Sequence, residues 1–276
     1  MILGVVGYGY VGKAVTEVFR ELGFKVYVND NDENVSAKAF LDVCDKKTLV
    51  QKCDAIFVCV GTPEGLHGNI DLYQINSAVD KLAFYSSNGR ITKKPLIIIK
   101  STVVPGTTET YAELHKHLLF AANPEFLRQA SAIKDFRNPD RIVIGTESDK
   151  AKMLMSDLYL TWTTTPKVYT DFCTAELIKY VSNAFFVSKV AFACEVQNIS
   201  KLLGCNAATV MDAVTLDRRI NKSHLNPLLG RIPADSPCLP KDLSALIQFL
   251  RCFKYDSHLL QVILENGVEK TDGIKL

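Results

Sequence analysis

The residues Gly7-Tyr8-Gly9-Tyr10-Val11-Gly12 follow directly on the apolar run ILGVV and open a helical pattern over residues 11–22. A G-x-G-x-x-G spacing constrains the fold only in this setting, with a strand before it and a helix after it. Each glycine then has its own reason: Gly7 makes a tight turn, Gly9 lets the backbone approach a pyrophosphate, and Gly12 lets the helix pack close to the strand. The helix N-terminus at Tyr10 and Val11 supplies N–H groups and a partial positive charge. Asp30 ends the next apolar run, KVYVN, where a carboxylate can bind the 2′-hydroxyl of an adenosine ribose. That carboxylate would repel a 2′-phosphate and no Arg follows it, so the expected cofactor is NAD rather than NADP. Two plainer alternatives stay open on these residues alone: a glycine turn without a ligand, and Asp30 as a solvated turn residue.

Further along, DAIFVCV and PLIIIK alternate with helical patterns, and both strands are almost wholly apolar, as expected where helices cover both faces of a parallel sheet. RIVIG, residues 141–145, is expected to be the last strand. After about residue 165 the strand signals stop. Residues 174–203 run without Gly or Pro until Gly204 provides a C-terminal stop. The spacing predicts a long helix, apolar around most of its circumference, which must be covered by a core or by a second subunit. The expected architecture is α/β: a Rossmann-type, doubly wound, mainly parallel NAD-binding sheet domain over residues 1–165, then an all-helical dimerisation and catalytic domain over residues 166–276. A homodimer through the 174–203 helix is the expected assembly.

Composition narrows the classes of partner. The 32 Lys plus Arg against 30 Asp plus Glu leave a formal charge of +2, too little for nucleic acid to be the main partner. The N-terminus lacks the basic region of a secretory signal, and no membrane association is expected. The eight cysteines form no C-x-x-C pair and no zinc-like grouping with the five histidines, so no metal site is expected and a cytoplasmic location fits. Seven of the eight are expected to be small buried hydrophobes, Cys238 being the exception.

The segment NPEFLRQASAIKDFRNPDRIVIG, residues 123–145, resembles the signature of the UDP-glucose/GDP-mannose dehydrogenase family. KSTVVPGTT (residues 100–108), AELIKYVSNAF (175–185) and CLPKD (238–242) agree with it in order and spacing, so the resemblance covers essentially the whole chain. It implies a four-electron oxidation of a nucleotide sugar, UDP-glucose-like, in which the C6 alcohol becomes a carboxylate at the expense of two NAD and through an intermediate bound to Cys238. By the same resemblance, Lys179 and Asn183 steady the oxyanion and orient a water, Glu125 activates water for thioester hydrolysis, and Asp242 helps hold the water and the lysine. Thr102 lies near the reacting sugar and the nicotinamide, with Thr62 also at the cofactor. Glu125, Phe126, Leu127, Lys179, Asn183 and Arg219 contact the substrate, Arg219 by reaching across to a neighbouring site.

The residues have chemistry of their own. A thiolate is a strong nucleophile, and Lys241 together with the N-terminus of a helix begun by Pro240 and Asp242 would favour it. Lys179 and Asn183, four apart, emerge on one face of an apolar helix. Plainer alternatives remain: Asp242 as a cap, Lys179 paired with Glu176 on a solvated face, Thr102 as a cap for a helix starting near Thr107, and Glu125 as a turn residue after Pro124.

Three departures from the family pattern stand out. By the resemblance, the family's second Rossmann-like domain, which holds the uridine diphosphate, is expected to be missing, and weak affinity for a nucleotide is then expected unless a partner chain completes the pocket. Gln129 replaces a glutamate, and ADSPC replaces a glycine-rich segment before Cys238. Two other functions compete: an NAD-binding dimerisation module without activity, and a small-substrate hydroxyacid dehydrogenase that would not need Cys238.

Overall fold

The computed structural model describes residues 1–36, 41–87 and 94–269. They fall into two compact units, Met1–Pro63 with Asp71–Lys179, and Glu64–Ile70 with Tyr180–Leu276. The last seven residues of the tail ENGVEKTDGIKL lie outside the described residues.

The first unit is built on one eight-stranded sheet in the order β3-β2-β1-β4-β5-β6-β7-β8. Its strands are β1 (Ile2–Val6), β2 (Lys25–Asn29), β3 (Asp42–Val43), β4 (Ala55–Val58), β5 (Leu96–Ile99), β6 (Leu119–Ala122), β7 (Ile142–Gly145) and β8 (Lys167–Thr170). All neighbours pair in parallel except β6 with β7, which meet antiparallel through Ala122 and Gly145. The sheet is thus doubly wound and mainly parallel, and its strand order reverses between β1 and β4, beside the glycine turn.

The apolar strands bury both faces, and alternate residues feed different sides. Leu3, Val5, Phe57, Ile98 and Ile144 pack toward helices α1 (Tyr10–Glu21), α6 (Ala132–Arg137) and α7 (Asp149–Leu158). Ile56, Val58, Ile97, Ile99 and Phe120 pack on the other face with α3 (Lys46–Lys52), α4 (Tyr73–Ser87) and α5 (Thr107–Leu114). Phe19 is the hub of the first side, its ring within 6.0 Å of the rings of Phe24, Phe57, Phe136, Tyr159 and Trp162. Each such side chain, fully buried, contributes about 1.5–3 kcal/mol of transfer free energy.

Two expectations need correction. RIVIG is not the last strand, because β8 adds beside it. KVYT is a four-residue edge strand with no buried residue, so it lacks the apolar run that marks the central strands. The cysteines are less uniform than expected: Cys53, Cys59 and Cys194 are buried, Cys44 and Cys238 are half-buried, and Cys173, Cys205 and Cys252 are exposed. The exposed three sit at helix ends, in the first turn of α8 (Phe172–Leu203), just after Gly204, and at the C-cap of α10 (Leu239–Arg251). An apolar flanking sequence does not bury a residue at such a place.

Between α1 and α3 the chain makes the short helix α2 (Glu33–Ser36). The second unit comprises α8 from Tyr180 onward, α9 (Ala207–Val214), α10, α11 (His258–Gly267) and a short 3-10 turn at Leu66–Gly68. Ala184 and Val187 of α8 pack with Leu243 and Ile247 of α10 and with Leu264 of α11. A Cβ on Gly267 would lie 2.8 Å from Val187 Cγ1, so the end of α11 reaches α8 only as glycine. Asn206 caps α9 by accepting from the Thr209 amide. The irregular stretch before Cys238 is tied down where Ile232 exchanges backbone hydrogen bonds with Gly267 and Glu269, each 2.8 Å.

Helix α8 is 32 residues long, and among the described residues it alone has the length and apolarity to cross a bilayer. Its first two turns belong to the sheet unit, where Phe172 and Ala175 join the core. Glu176, buried there, caps α5. The N-cap of that helix, Gly106, has φ 92° and no side chain to offer, and the Glu176 carboxylate accepts from the Gly106 amide (2.7 Å), the Thr108 amide (2.9 Å) and the Thr108 hydroxyl. Burial pushes its pKa up to about 7, against the pull of those donors. A carboxyl whose pKa rises on folding adds stability that is full below its ordinary value, about 4.3, and is lost as pH climbs through 7. Stability should therefore fall between those two pH values, and Glu176→Gln should flatten that slope in denaturant titrations run across the range. An equal slope in both proteins would assign it to another group.

Candidate active site

The glycine turn has the geometry its spacing implies. Gly7 adopts φ 92°, and a Cβ there would lie 2.7 Å from the Cys59 carbonyl oxygen. A Cβ on Gly12 would lie 1.8 Å from the Gly7 carbonyl oxygen, which no rearrangement of side chains relieves. Around Gly9 the Cβ position meets nothing within 4 Å, leaving open the space into which a ligand phosphate would come. Gly9 is also the N-cap of α1, so the chain enters the helix at Tyr10 and Val11 without a side-chain cap or an acidic residue in the first turn. That leaves the positive end of the helix dipole uncompensated by the protein's own carboxylates. Asp30, at the end of β2, accepts hydrogen bonds from the amide of Tyr8 in the turn and from the Asp32 amide at 2.8 Å. The acid is thereby fixed beside the turn.

Polar residues gather at the carboxyl ends of β4, β5 and β6. Thr62 Oγ1 donates to the Thr102 carbonyl (2.9 Å), bringing together two residues expected at the cofactor. Ser101 Oγ donates to the Val60 carbonyl at 2.7 Å. Past β6, Glu125 is buried and its carboxylate meets Lys179 Nζ at 2.7 Å, the side chains only 5% and 6% exposed. The other oxygen of Glu125 accepts the Leu127 amide. The Phe126 ring is covered by the Arg141 guanidinium, 3.8 Å from its centroid, with Lys179 Nζ at 5.8 Å. Breaking a buried pair of this kind by removing one partner costs about 3–5 kcal/mol. Lys179 thus pairs with Glu125 and not with Glu176, and Thr102 does not cap α5. A small cavity adjoins them, lined by Ser101, Thr102, Val103, Pro124, Glu176 and Lys179 among others.

In the second unit, Cys238 is the N-cap of α10 and its carbonyl accepts the Asp242 amide at 2.9 Å. Pro240 in the first turn fits there because that position needs no N–H. Asp242 is not a cap. It is buried, and its two oxygens accept from Asn183 Nδ2 and Lys241 Nζ, both at 2.6 Å. Asn183 lies one turn beyond Lys179 on α8. Arg219, by contrast, forks onto Asp217 of its own loop, with its side chain 88% exposed.

Two buried ionisable groups were not apparent in the sequence. Glu176 is one. Lys100 is the other, 3% exposed, with its pKa lowered to about 8 by burial. A lysine ending the apolar run PLIIIK was the available signal.

A glycine-turn Rossmann sheet joined through one long helix to a helical unit defines an NAD-binding dehydrogenase plan. The sequence comparisons narrow that class. Residues 33–163 match the NAD binding domain of the UDP-glucose/GDP-mannose dehydrogenase family, and residues 173–266 match its central domain. The UDP-glucose 6-dehydrogenase of Rickettsia conorii is 34% identical over 302 aligned positions, covering 99% of this chain and 68% of that protein. A UDP-glucose 6-dehydrogenase of Haloferax volcanii is 32% identical, covering 99% and 70%. The structure of a UDP-glucose dehydrogenase from Pyrobaculum islandicum superposes with a TM-score of 0.86 at 32% identity, covering 96% of this chain and 67% of the other. The chain belongs to the UDP-glucose/GDP-mannose dehydrogenase family and spans about two thirds of the length of these relatives.

The turn geometry predicts unequal costs for two alanines. Gly12→Ala should destabilise the protein by about 1–3 kcal/mol or more through overpacking against backbone, and should abolish NAD binding. Gly9→Ala should leave the denaturation midpoint close to wild type's while weakening NAD, because its methyl group enters only the ligand's space. Equal midpoints for the two variants would refute the packing assigned to Gly12.

Proposed function

We propose that this chain catalyses the NAD-dependent oxidation of the C6 alcohol of a nucleotide sugar, UDP-glucose-like, to the carboxylate, with Cys238 as the covalent nucleophile. The observation that carries the reading is the polar set on α8: Lys179 buried against Glu125, and one turn later Asn183 fixed by Asp242, which follows Cys238 by four residues. Four polar side chains so paired on an apolar helix and its neighbours are costly unless they serve a site.

NAD, when bound at the glycine turn beside Asp30, would supply the hydride acceptor for both oxidations. In the first, the alcohol loses a hydride and a proton to give the aldehyde. The Cys238 sulfur then adds to the aldehyde carbon, and its proton passes to the former carbonyl oxygen, giving a thiohemiacetal. The second oxidation removes that carbon's hydride and the hydroxyl proton, leaving a thioester. Water adds to the thioester as Glu125 takes its proton, the C–S bond breaks, and the thiol is restored by protonation. The balance is one alcohol, one water and two NAD giving one carboxylate, two NADH and three protons. The Lys179 ammonium, already facing a carboxylate, suits the alkoxide and the tetrahedral oxyanion, where charge develops. The Asn183 amide, oriented by Asp242, is preset for the same task. Cys238 sits at the N-cap of α10, half-buried. Asp30, Thr62 and Thr102 are the residues for the cofactor's ribose and nicotinamide ends, and Phe126 and Leu127 would contact the sugar. Arg219, exposed on its loop, suits a contact with a second copy.

That second copy would lie along α8. Val181, Phe185, Phe192, Ile199 and Leu203 are 46–67% exposed and recur every four or seven residues, forming one apolar stripe. Sedimentation at micromolar protein should show a dimer, and Phe185→Asp with Phe192→Asp should yield a folded monomer. A wild-type monomer would remove the stripe from the interface.

The deciding assay follows NADH absorbance with NAD and a panel of UDP- and GDP-sugars, beside Cys238→Ala. Two NADH per sugar in the wild type, with turnover lost or arrested after the first in the variant, is the expected result. Full turnover by Cys238→Ala would refute the thioester route. NAD binding without NADH from any sugar would leave a cofactor-binding dimerisation module.

A further inference from the structure

We propose that Lys100 is a positioning residue for Glu125, acting through Asn123. The proposal rests on the reading of Glu125 as the base for thioester hydrolysis. Lys100 ends the strand run of β5 and is almost wholly buried, yet its ammonium meets no carboxylate within salt-bridge distance among the described residues. Its hydrogen bonds go to the Asn123 carbonyl at 3.1 Å and to Asn123 Oδ1 at 3.0 Å, with the Phe136 ring centroid 5.3 Å from Nζ. A buried ammonium served by neutral oxygens is an expensive way to complete a core. Burial accordingly lowers its pKa, while Cys59 and then Glu125 favour its charged form and Lys179 opposes it.

What this ammonium holds is the hub from which the Glu125 turn departs. Asn123 is buried, its amide donates to the Ile99 carbonyl at 2.8 Å, and its Nδ2 donates to the Val143 carbonyl at 2.7 Å. Its Oδ1 also accepts from the Tyr159 hydroxyl at 2.6 Å. One side chain therefore ties the carboxyl end of β5, the start of the turn after β6, β7 and the end of α7 together. Pro124 follows, and then Glu125, so the backbone carrying the carboxylate leaves a point fixed from four sides. A backbone carbonyl in this position, if held only by neutral donors, would have more freedom to rotate. The ammonium supplies two charge-assisted bonds, the stronger kind. The Leu127 amide, bound to Glu125, reports directly on how well the turn is held.

The test uses the full chain carrying Lys100→Met, with Tyr159→Phe as a second variant that leaves the buried ammonium in place. Amide hydrogen exchange by NMR on the free protein should show the Leu127 amide of Lys100→Met exchanging at least about tenfold faster than in the wild type, with α1 amides unchanged. With NAD and a nucleotide sugar that yields NADH, kcat should fall at least about tenfold while KM stays within about twofold. Intact mass should show acylated Cys238 accumulating, because hydrolysis is the step slowed. Tyr159→Phe should move both readouts in the same direction by less, and it decides the matter if Lys100→Met does not fold. An unchanged Leu127 rate, or a kcat that stays near wild type in an active preparation, overturns the proposal. A wild type that yields no NADH overturns the oxidation reading alone, since Leu127 exchange still decides whether Lys100 holds the turn.

Discussion

The approach of α1 to the turn before it is the constraint on which the sheet unit depends. With 1.8 Å between the Gly7 carbonyl oxygen and a Cβ at Gly12, the helix can start where it does only if that residue lacks a side chain. Helix α1 then lies on β1 with Val15, Val18 and Phe19 in the core, and Phe19 gathers the surrounding rings. Its N-terminus is set facing the open space at Gly9, where the strand order reverses. The fold of the turn and the start of α1 are consequences of one packing distance.

A second constraint follows from parallel strands. Because β1 and β4 to β6 run the same way, their carboxyl ends lie along one edge, and the residues just past those ends are where polar groups can be reached. Thr62, Ser101, Thr102, Asn123 and Glu125 all occupy such positions. The strands themselves offer no room for polarity, since residues such as Ile56, Ile97 and Ile98 are fully buried. Lys100 and Asn123 mark the transition, polar but still buried, and satisfied by each other and by Tyr159.

Helix α8 answers three demands along its length. Its first turns close the sheet core and cap α5 through Glu176. Its middle carries Lys179 and Asn183, each with a buried partner, and its outer face is apolar and exposed. No single amphipathic pattern satisfies all three, which is why the helix reads as apolar around its circumference while burying only part of it.

The sequence by itself determined the sheet's central strands, the glycine turn and the long helix, because these depend on local spacing and on runs of one residue type. The edge strand β8 was not legible, since KVYT has neither alternation nor an apolar run, and its place is set by pairing with β7. Nor was the burial of individual cysteines, which depends on where an element ends. Tertiary structure alone decided the partners. Lys179 had Glu176 three residues away on its own helix, yet the two diverge, one to Glu125 after β6 and the other to the start of α5. Asp242 could have been a cap, but Asn183 and Lys241 take its oxygens. Apart from Lys241 with its neighbour Asp242, these pairings join residues more than fifty positions apart, and which carboxylate meets which partner is fixed by how strands and helices stack rather than by the local chain.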